Sequence, residues 1–338
     1  MHILIATDAG PPQVNGVVNS LKAMTEAAQH LGARFTFITP QQFKTLPMPT
    51  YPDIRLSLVT SRQIGKLIEA SGAEHVHIAT EGPIGLAARA HCRRKGRPFT
   101  TSYHTRFPEY IAARVPVPLS LTYWLIRKFH NSGVGTMVST ASVTAELAAR
   151  GFNNLMRWSR GVDHELFNPS RAKDLGFTKP VFLYVGRVAV EKNIEAFLNL
   201  TLPGTKVVVG DGPARKALEA QHPDVKFLGM KAGTGLAEIY ASADVFVFPS
   251  RTDTFGIVLL EALASGLPVA AFPVPGPLDV VGGTPAAVLS EDLQAACLEA
   301  LKIPKSVARE VAQQFTWENS ARQFLGNIAE ANRRFKPR

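Results

Sequence analysis

The chain has 338 residues, 46% hydrophobic and only 19% charged, with 37 Lys and Arg against 27 Asp and Glu for a net charge of +10. This composition excludes a disordered chain, a small disulfide scaffold and a coiled coil, and the length predicts two domains of about 150 residues each. The excess charge is uneven, with 18 basic and 10 acidic residues in positions 1–170 and a nearly neutral remainder.

In chain order, short β-rich runs alternate with helical patterns, the signature of parallel sheets with crossover helices. The expected strands of the first half are 2–7, 34–39, 75–79, 99–103, 136–140 and 155–159, with helices at 17–31, 62–71, 84–96, 119–130 and 141–150. A proline-rich loop occupies 39–52. The polar stretch RGVDHELFNPSRAKDLGFTKP, 160–180, reads as a linker. The rhythm restarts with strands at 181–186, 206–210, 225–229, 244–249 and 268–272, and helices at 191–200, 213–221, 234–242, 256–265 and 290–302. Residues 317–335 form one amphipathic helix with no strand after it, so it is expected to pack back on the first domain.

The fold class is therefore α/β, two doubly wound parallel sheets in tandem, with domains at 1–165 and 175–315 and a returning helix at 316–338. Such sheets bind ligands beyond the carboxyl ends of their strands, so the active site is expected in a cleft between the domains. Cys92 and Cys297 fall in different domains, which excludes a disulfide framework and a cysteine-held metal. The N-terminus MHILIATD lacks a basic leader, and no uncharged apolar run is long enough to span a bilayer. Both points suggest a cytoplasmic protein, soluble or surface-bound.

Neither G-x-G-x-x-G after the first strand nor G-x-x-x-x-G-K occurs, which argues against a nicotinamide site or a P-loop. No D-x-D is available to chelate a metal. In GRVAVEKN, Arg187 follows a buried strand and Lys192 opens the next expected helix, two cations that would suit a diphosphate. A pair of solvated surface charges explains them equally well. VVVGDGP, 207–213, is a glycine-bearing turn on the same side of the same sheet, or simply a well-formed strand-to-helix connection. The segment FPSRTDTFGIVLLEALASGLPVAA, 248–271, carries Asp253, Thr254, Phe255 and Gly256 into a helix that holds Glu261. On one helix the two acids would stand about 12 Å apart, beyond the roughly 5–9.5 Å of a glycosidase pair. They read as two grips on an extended ligand, although Asp253 could also be a helix cap. Glu261 interrupts an apolar run and needs a partner.

Together GRVAVEKN, VVVGDGP, RGVDHELFNP and the 248–271 segment resemble the donor half of family 4 retaining glycosyltransferases, which have the GT-B fold. DAGPPQVNGVVNSL and SYHTRFPEY are similar to the branch that includes GDP-mannose-dependent α-mannosyltransferases and sulfoquinovosyl diacylglycerol synthase. The resemblance covers most of the chain. It implies that Glu261 binds the nucleotide ribose, that Asp253 stands at the first acid of the family pair, and that Thr254, Phe255 and Gly256 contact the diphosphate and sugar. By the same resemblance Arg187 and Lys192 neutralise the diphosphate without a metal or cofactor, Gly16 lies in a loop near the donor phosphate, and His104 stands near the donor sugar. His104 and Asp253 are thus the expected catalytic residues, with no covalent nucleophile.

For the acceptor side, the cluster Arg89, Arg93, Arg94, Lys95 and Arg97 and the segment 110–131, with Arg114, combine basic and aromatic residues. Tyr103, Arg106, Tyr123, Trp124, Arg127 and Lys128 are the expected acceptor or membrane contacts, suited to an anionic lipid surface. A core helix with a basic edge accounts for much of the same segment. No nucleic-acid recognition pattern accompanies the charge. The expected function is transfer of a hexose from a GDP- or UDP-sugar to a membrane lipid or lipid-linked glycan by a peripheral protein at the inner membrane face. A nucleotide-sugar epimerase of the same fold and a non-enzymatic basic surface-binding module are the alternatives.

Overall fold

The computed structural model describes residues 1–10, 16–48, 51–112 and 117–335. The chain divides into two compact units, Met1–Arg160 with Trp317–Arg338, and Gly161–Thr316.

The first unit runs β1 (His2–Ala6), α1 (Gly16–His30), β2 (Arg34–Ile38), β3 (Thr45–Met48), β4 (Tyr51–Ser57), α2 (Ser61–Ser71), β5 (His75–Ile78), α3 (Pro83–Lys95), β6 (Phe99–Tyr103), α4 (Phe107–Ala112), α5 (Leu119–His130), β7 (Gly135–Val138), α6 (Ala141–Ala149) and β8 (Leu155–Arg157). Its sheet is wholly parallel in the order β2-β1-β5-β6-β7-β8, while β3 and β4 pair antiparallel outside it. The proline-rich segment 39–52, read as a loop, thus supplies a 3-10 turn at Pro40–Gln42, the strand β3 and the first residues of β4. Strands β1, β5, β6 and β7 are buried at every position. Of these, β1 is apolar on both faces, as a covered parallel strand usually is, whereas His75 and His77 of β5 are buried because their rings pair with Thr100 and Ser102 of β6 at 2.8–2.9 Å.

The second unit runs β9 (Val181–Val185), α7 (Glu195–Leu198), β10 (Thr205–Val209), α8 (Arg215–Gln221), β11 (Lys226–Phe227), α9 (Gly233–Ser242), β12 (Val245–Phe248), α10 (Ile257–Ala264), β13 (Val269–Ala271), α11 (Pro275–Val280), β14 (Ala287–Leu289), α12 (Leu293–Ala300) and α13 (Lys305–Ala312). Its parallel sheet has the order β11-β10-β9-β12-β13-β14, with one apolar cluster on each face. The first residue of the stretch read as a linker, Arg160, falls in the first unit, and from Gly161 onward the stretch belongs to this one. Val162 and Phe167 are buried in its core, and the Val162 N–H donates to the Phe315 carbonyl at 3.1 Å.

The last helix, α14 (Trp317–Arg334), returns to the first unit. Its buried Phe324 and Ile328 pack with Leu21, Met24 and Trp158. Polar side chains complete the docking: Trp158 Nε1 donates to Ser320 Oγ at 3.0 Å, and Asn327 donates to the Arg157 carbonyl at 2.7 Å.

Candidate functional site

In the second unit the strand order reverses between β9 and β12, and a doubly wound sheet opens a crevice at that point. Two loops meet there, one after β9 and one after β12. Lys192 Nζ donates to Asp253 Oδ1 at 2.5 Å, with each side chain one-fifth exposed. Asn193 Nδ2 donates to the Pro249 carbonyl at 3.0 Å, and Thr252 Oγ1 to the Glu191 carbonyl at 3.1 Å. Burial opposes the charge on Asp253, but the Lys192 ammonium outweighs it and holds the carboxyl below its ordinary range. Asp253 is therefore a carboxylate clasped by Lys192. It does not cap α10, whose N-cap is Gly256 in the left-handed region at φ +79°, with no side-chain hydrogen bond.

Lys192 does not open a helix as expected. It closes a 3-10 turn over Val190–Lys192, and Asn193 at φ +51° breaks the chain before the four-residue α7. Lys192 thus brings its charge to the site without a helix dipole behind it. Arg187 is half-buried, and its backbone is pinned by Tyr184, whose hydroxyl donates to the Arg187 carbonyl at 2.8 Å. The VVVGDGP turn buttresses this loop. A Cβ on Gly210 would lie 1.9 Å from the Gly186 oxygen, and one on Gly212 2.3 Å from the Val188 oxygen. Those two glycines are needed for backbone-to-backbone packing, so their structural reading prevails.

Glu261 projects from the second turn of α10. Its Oε2 accepts from the hydroxyl of the fully buried Tyr240 on α9 at 3.0 Å, the partner its apolar surroundings require. Burial pushes the Glu261 carboxyl up to about 7, against the pull of that hydrogen bond. Phe255 is buried and anchors the loop in the core, while Thr254 is half-buried. Gly276 of α11 lies against the same loop, where a Cβ would come within 2.8 Å of the Asp253 carbonyl oxygen. With the Phe255 ring turned inward, the 254–256 segment has mainly its backbone to offer a ligand.

In the first unit, His104 directly follows β6, and its Nδ1 is 3.0 Å from Arg160 Nη2. Arg160 is buried, its guanidinium 4.0 Å over the Trp158 ring, and its Nη1 donates to the Trp158 carbonyl at 2.8 Å. Burial, with Arg160, His77 and His130 nearby, holds the His104 imidazole well below its ordinary pKa. His104 is neutral. Sequence reading passed over Arg160, although it opens the RGVDHELF motif directly after a tryptophan-bearing strand. Gly16 is the exposed first residue of α1, and a Cβ there would meet nothing within 4 Å.

The expected acceptor residues separate into two groups. Tyr103 and Tyr123 are 1% and 5% exposed, so both are core residues and neither can reach a membrane. The Tyr123 hydroxyl donates to Glu109 at 2.6 Å, and Arg106 pairs with Glu146 at 2.8 Å in the same cluster. Arg106 is spent on this internal pairing. The opposite face of α5 exposes Leu121, Trp124 and Leu125 at 48%, 45% and 52%, with Lys128 Nζ 5.0 Å over the Trp124 ring. These four stand at i, i+3, i+4 and i+7 and form one stripe. Arg127 lies beside it, donating to the Arg150 carbonyl at 3.0 Å. In the α3 cluster Arg89 and Arg97 are turned inward onto the Lys128 and Ala73 carbonyls, whereas Arg93, Arg94 and Lys95 are exposed, Arg94 donating to Ser61. Arg114 lies outside the described residues.

Among the described residues no cluster of three metal-ligating side chains occurs, and no helix is long and apolar enough to cross a membrane. A family profile described as Glycosyltransferase Family 4 matches residues 14–166, and one described as Glycosyl transferases group 1 matches 179–303. The chain is 32% identical over 298 residues to the sulfoquinovosyl transferase SQD2 of Arabidopsis thaliana, covering 79% of this chain and 58% of that protein. It is 30% identical over 308 residues to a GDP-mannose-dependent alpha-mannosyltransferase of Mycobacterium tuberculosis, covering 83% of this chain and 81% of the relative. Its fold matches that of Anabaena HepE, solved in complex with UDP and glucose, with a TM-score of 0.74 at 17% identity over 98% of this chain and 100% of the other.

Proposed function

The chain belongs to the family 4 glycosyltransferases and has their GT-B fold; from that premise we propose that it transfers a hexose of mannose or glucose type from a GDP- or UDP-sugar to a membrane lipid or lipid-linked glycan. The observation that carries the donor half of this reading is the Lys192–Asp253 pair at the strand-order reversal of the second unit, with Arg187 after β9 and Glu261 inside α10. The GDP-mannose-dependent relative and the UDP in the HepE structure support a nucleotide-sugar donor.

The chemistry follows from the charges. Arg187 and Lys192 stabilise the negative charge that grows on the leaving nucleoside diphosphate, the task a bound Mg²⁺ performs elsewhere. The backbone N–H groups at 254–256 lead into the N-terminus of α10 and suit phosphate oxygens. Glu261, once ionised, accepts from the ribose hydroxyls, and Asp253 accepts from sugar hydroxyls at the cationic end. His104 contacts the hexose, as the family resemblance implies. The sugar C1–O bond breaks with its electron pair passing to the diphosphate. The acceptor hydroxyl forms the new C1–O bond on the same face, and its proton goes to the departing phosphate oxygen. Configuration is retained with no covalent sugar–enzyme intermediate.

The exposed stripe of α5 supports a lipid-side acceptor at the inner membrane face. Leu121, Trp124 and Leu125 offer apolar area, and Lys128, Arg93 and Lys95 offer positive charge to anionic headgroups. The test is a screen of the purified protein against GDP-mannose, GDP-glucose and UDP-glucose with diacylglycerol-containing vesicles, read by product mass. A hexosylated lipid is expected in the absence of added metal. Sugar isomerisation without an acceptor, or vesicle binding with no nucleotide turnover, would overturn the reading.

A further inference from the structure

Arg160 is a guanidinium buried in the first unit with no carboxylate against it among the described residues. Burying such a charge without a counter-charge is costly, so its local contacts have to account for its presence. Nη1 donates to the Trp158 and Ser159 carbonyls at 2.8 and 3.2 Å, the plane stacks on Trp158, and Nη2 is directed at His104 Nδ1 at 3.0 Å. The backbone that holds it is itself held by α14. Gln323 accepts from the Ser159 N–H at 2.6 Å, and Ser320 donates to the Ser159 carbonyl at 2.8 Å.

A guanidinium has five donors and no acceptor. Nδ1 therefore faces it with its lone pair, and a neutral ring then carries its hydrogen on Nε2. We infer that Arg160 is a positioning residue that locks His104 as the neutral Nε2–H tautomer, so that the ring presents a fixed hydrogen-bond donor to a substrate hydroxyl and does not exchange protons with it. A protonated ring would lose the Nδ1 acceptor and set two cations in contact. The other titratable groups around His104 do not reverse this. His77 is buried between Thr100 and Ser102 at 2.8 and 2.9 Å, and the Nε2 of His130 is 3.0 Å from Glu81 Oε1. The substrate contact rests on the reading of His104 given above, whereas the tautomer can be read in the free protein.

Long-range ¹H–¹⁵N correlation spectra of histidine-labelled protein test the lock between pH 5.5 and 8.5. His104 is expected as Nε2–H with no titration. In Arg160→Met it is expected as a tautomer mixture that titrates within that range. An Nδ1–H ring in the native protein, or an unchanged tautomer in Arg160→Met, would overturn the inference. Turnover gives a second measure through His104→Gln, whose amide donates without help from Arg160. Arg160→Met should lower kcat by at least tenfold in the native background and by less than about twofold in the His104→Gln background. Equal losses in both backgrounds would mean that Arg160 does not act through His104. Should Arg160→Met fail to fold, Arg160→Lys retains a cationic donor with no acceptor and should keep the Nε2–H ring with an intermediate kcat; an Nδ1–H ring in that variant would overturn the lock. Native turnover in His104→Ala, with the tautomer as expected, would remove the sugar-contact reading alone.

Discussion

The two units solve the same topology with opposite chemistry at the same place. In the first, the strand order reverses between β1 and β5, and Asp8 fills that point. Its Oδ1 accepts from the Ile84 N–H at 2.8 Å, and its Oδ2 from the Gly85 N–H at 3.3 Å and Thr80 Oγ1 at 2.9 Å. The N-cap of α3 is Gly82, where a Cβ would come within 2.5 Å of the Asp8 carboxyl carbon. An internal carboxylate thus sits where a phosphate would sit on a helix N-terminus. In the second unit the matching helix, α10, begins at Gly256 with no side-chain cap, and Lys192 has its charge beside the loop before it. On the reading proposed above, net charge misleads about where the anionic donor goes. The second unit, with 14 basic and 17 acidic residues, keeps an uncapped helix end and placed cations, while the first, with 23 and 10, has sealed its own.

The sharpest way to break this comparison is to remove the cation. Lys192→Ala strips the diphosphate of a counter-charge and leaves Asp253 with an uncompensated buried charge, so turnover should fall about 10²- to 10³-fold. Glu261→Ala should lose a similar factor, chiefly through nucleotide affinity. Steady-state kinetics on folded protein checks both. Near-native kcat/KM in either variant would remove the donor site from the second unit.

Much of this was legible in the sequence, for reasons that differ by residue. Strands such as Val181–Val185 and Val245–Phe248 are buried on both faces and stand out as uninterrupted apolar runs. Glu261 was legible because a carboxylate inside IVLLEALA contradicts its surroundings. The hairpin β3–β4 was not, because its residues read as a proline-rich loop and its strands lie outside the parallel sheet. Tyr123 and Trp124 are neighbours in sequence but face opposite ways, and only the phase of α5 separates core from surface. Asp8 and Arg160 were missed for another reason. Each acts on a partner 76 or 56 positions away, and no local pattern encodes such a pairing.

A smaller effect tests the sealed end. Asp8→Ala removes the acceptor from two backbone N–H groups and from Thr80, and should destabilise the first unit by about 2 kcal/mol. Denaturant unfolding followed by tryptophan emission reads this loss directly, since Trp124 and Trp158 lie in that unit and Trp317 begins its returning helix. Nucleotide affinity should stay native. An Asp8 variant that folds normally but loses nucleotide binding would place the phosphate in the first unit after all.

The smallest effect is a pH dependence, and it should arise in the second unit. Glu261 is held up to about 7 by burial, above its ordinary value of 4.5, so the free protein favours the neutral acid. Its contribution to stability is complete below 4.5 and is lost as pH rises through about 7. A ribose diol needs an acceptor, so nucleotide binding has the opposite slope. At pH 6 only about a tenth of the carboxyl is ionised, and affinity for GDP or UDP should be about tenfold weaker than at pH 8. His104, whose pKa lies well below its ordinary range, adds no step between those values. Calorimetric titration across the range should show the slope in the native protein and a flat, weaker profile in Glu261→Gln. The melting temperature should behave to match. As pH rises through 7 the free protein should become easier to unfold, while the stabilisation by nucleotide grows, because one ionisation drives both. A slope that survives in Glu261→Gln would assign the titration to the ligand phosphate and leave Glu261 without its ribose.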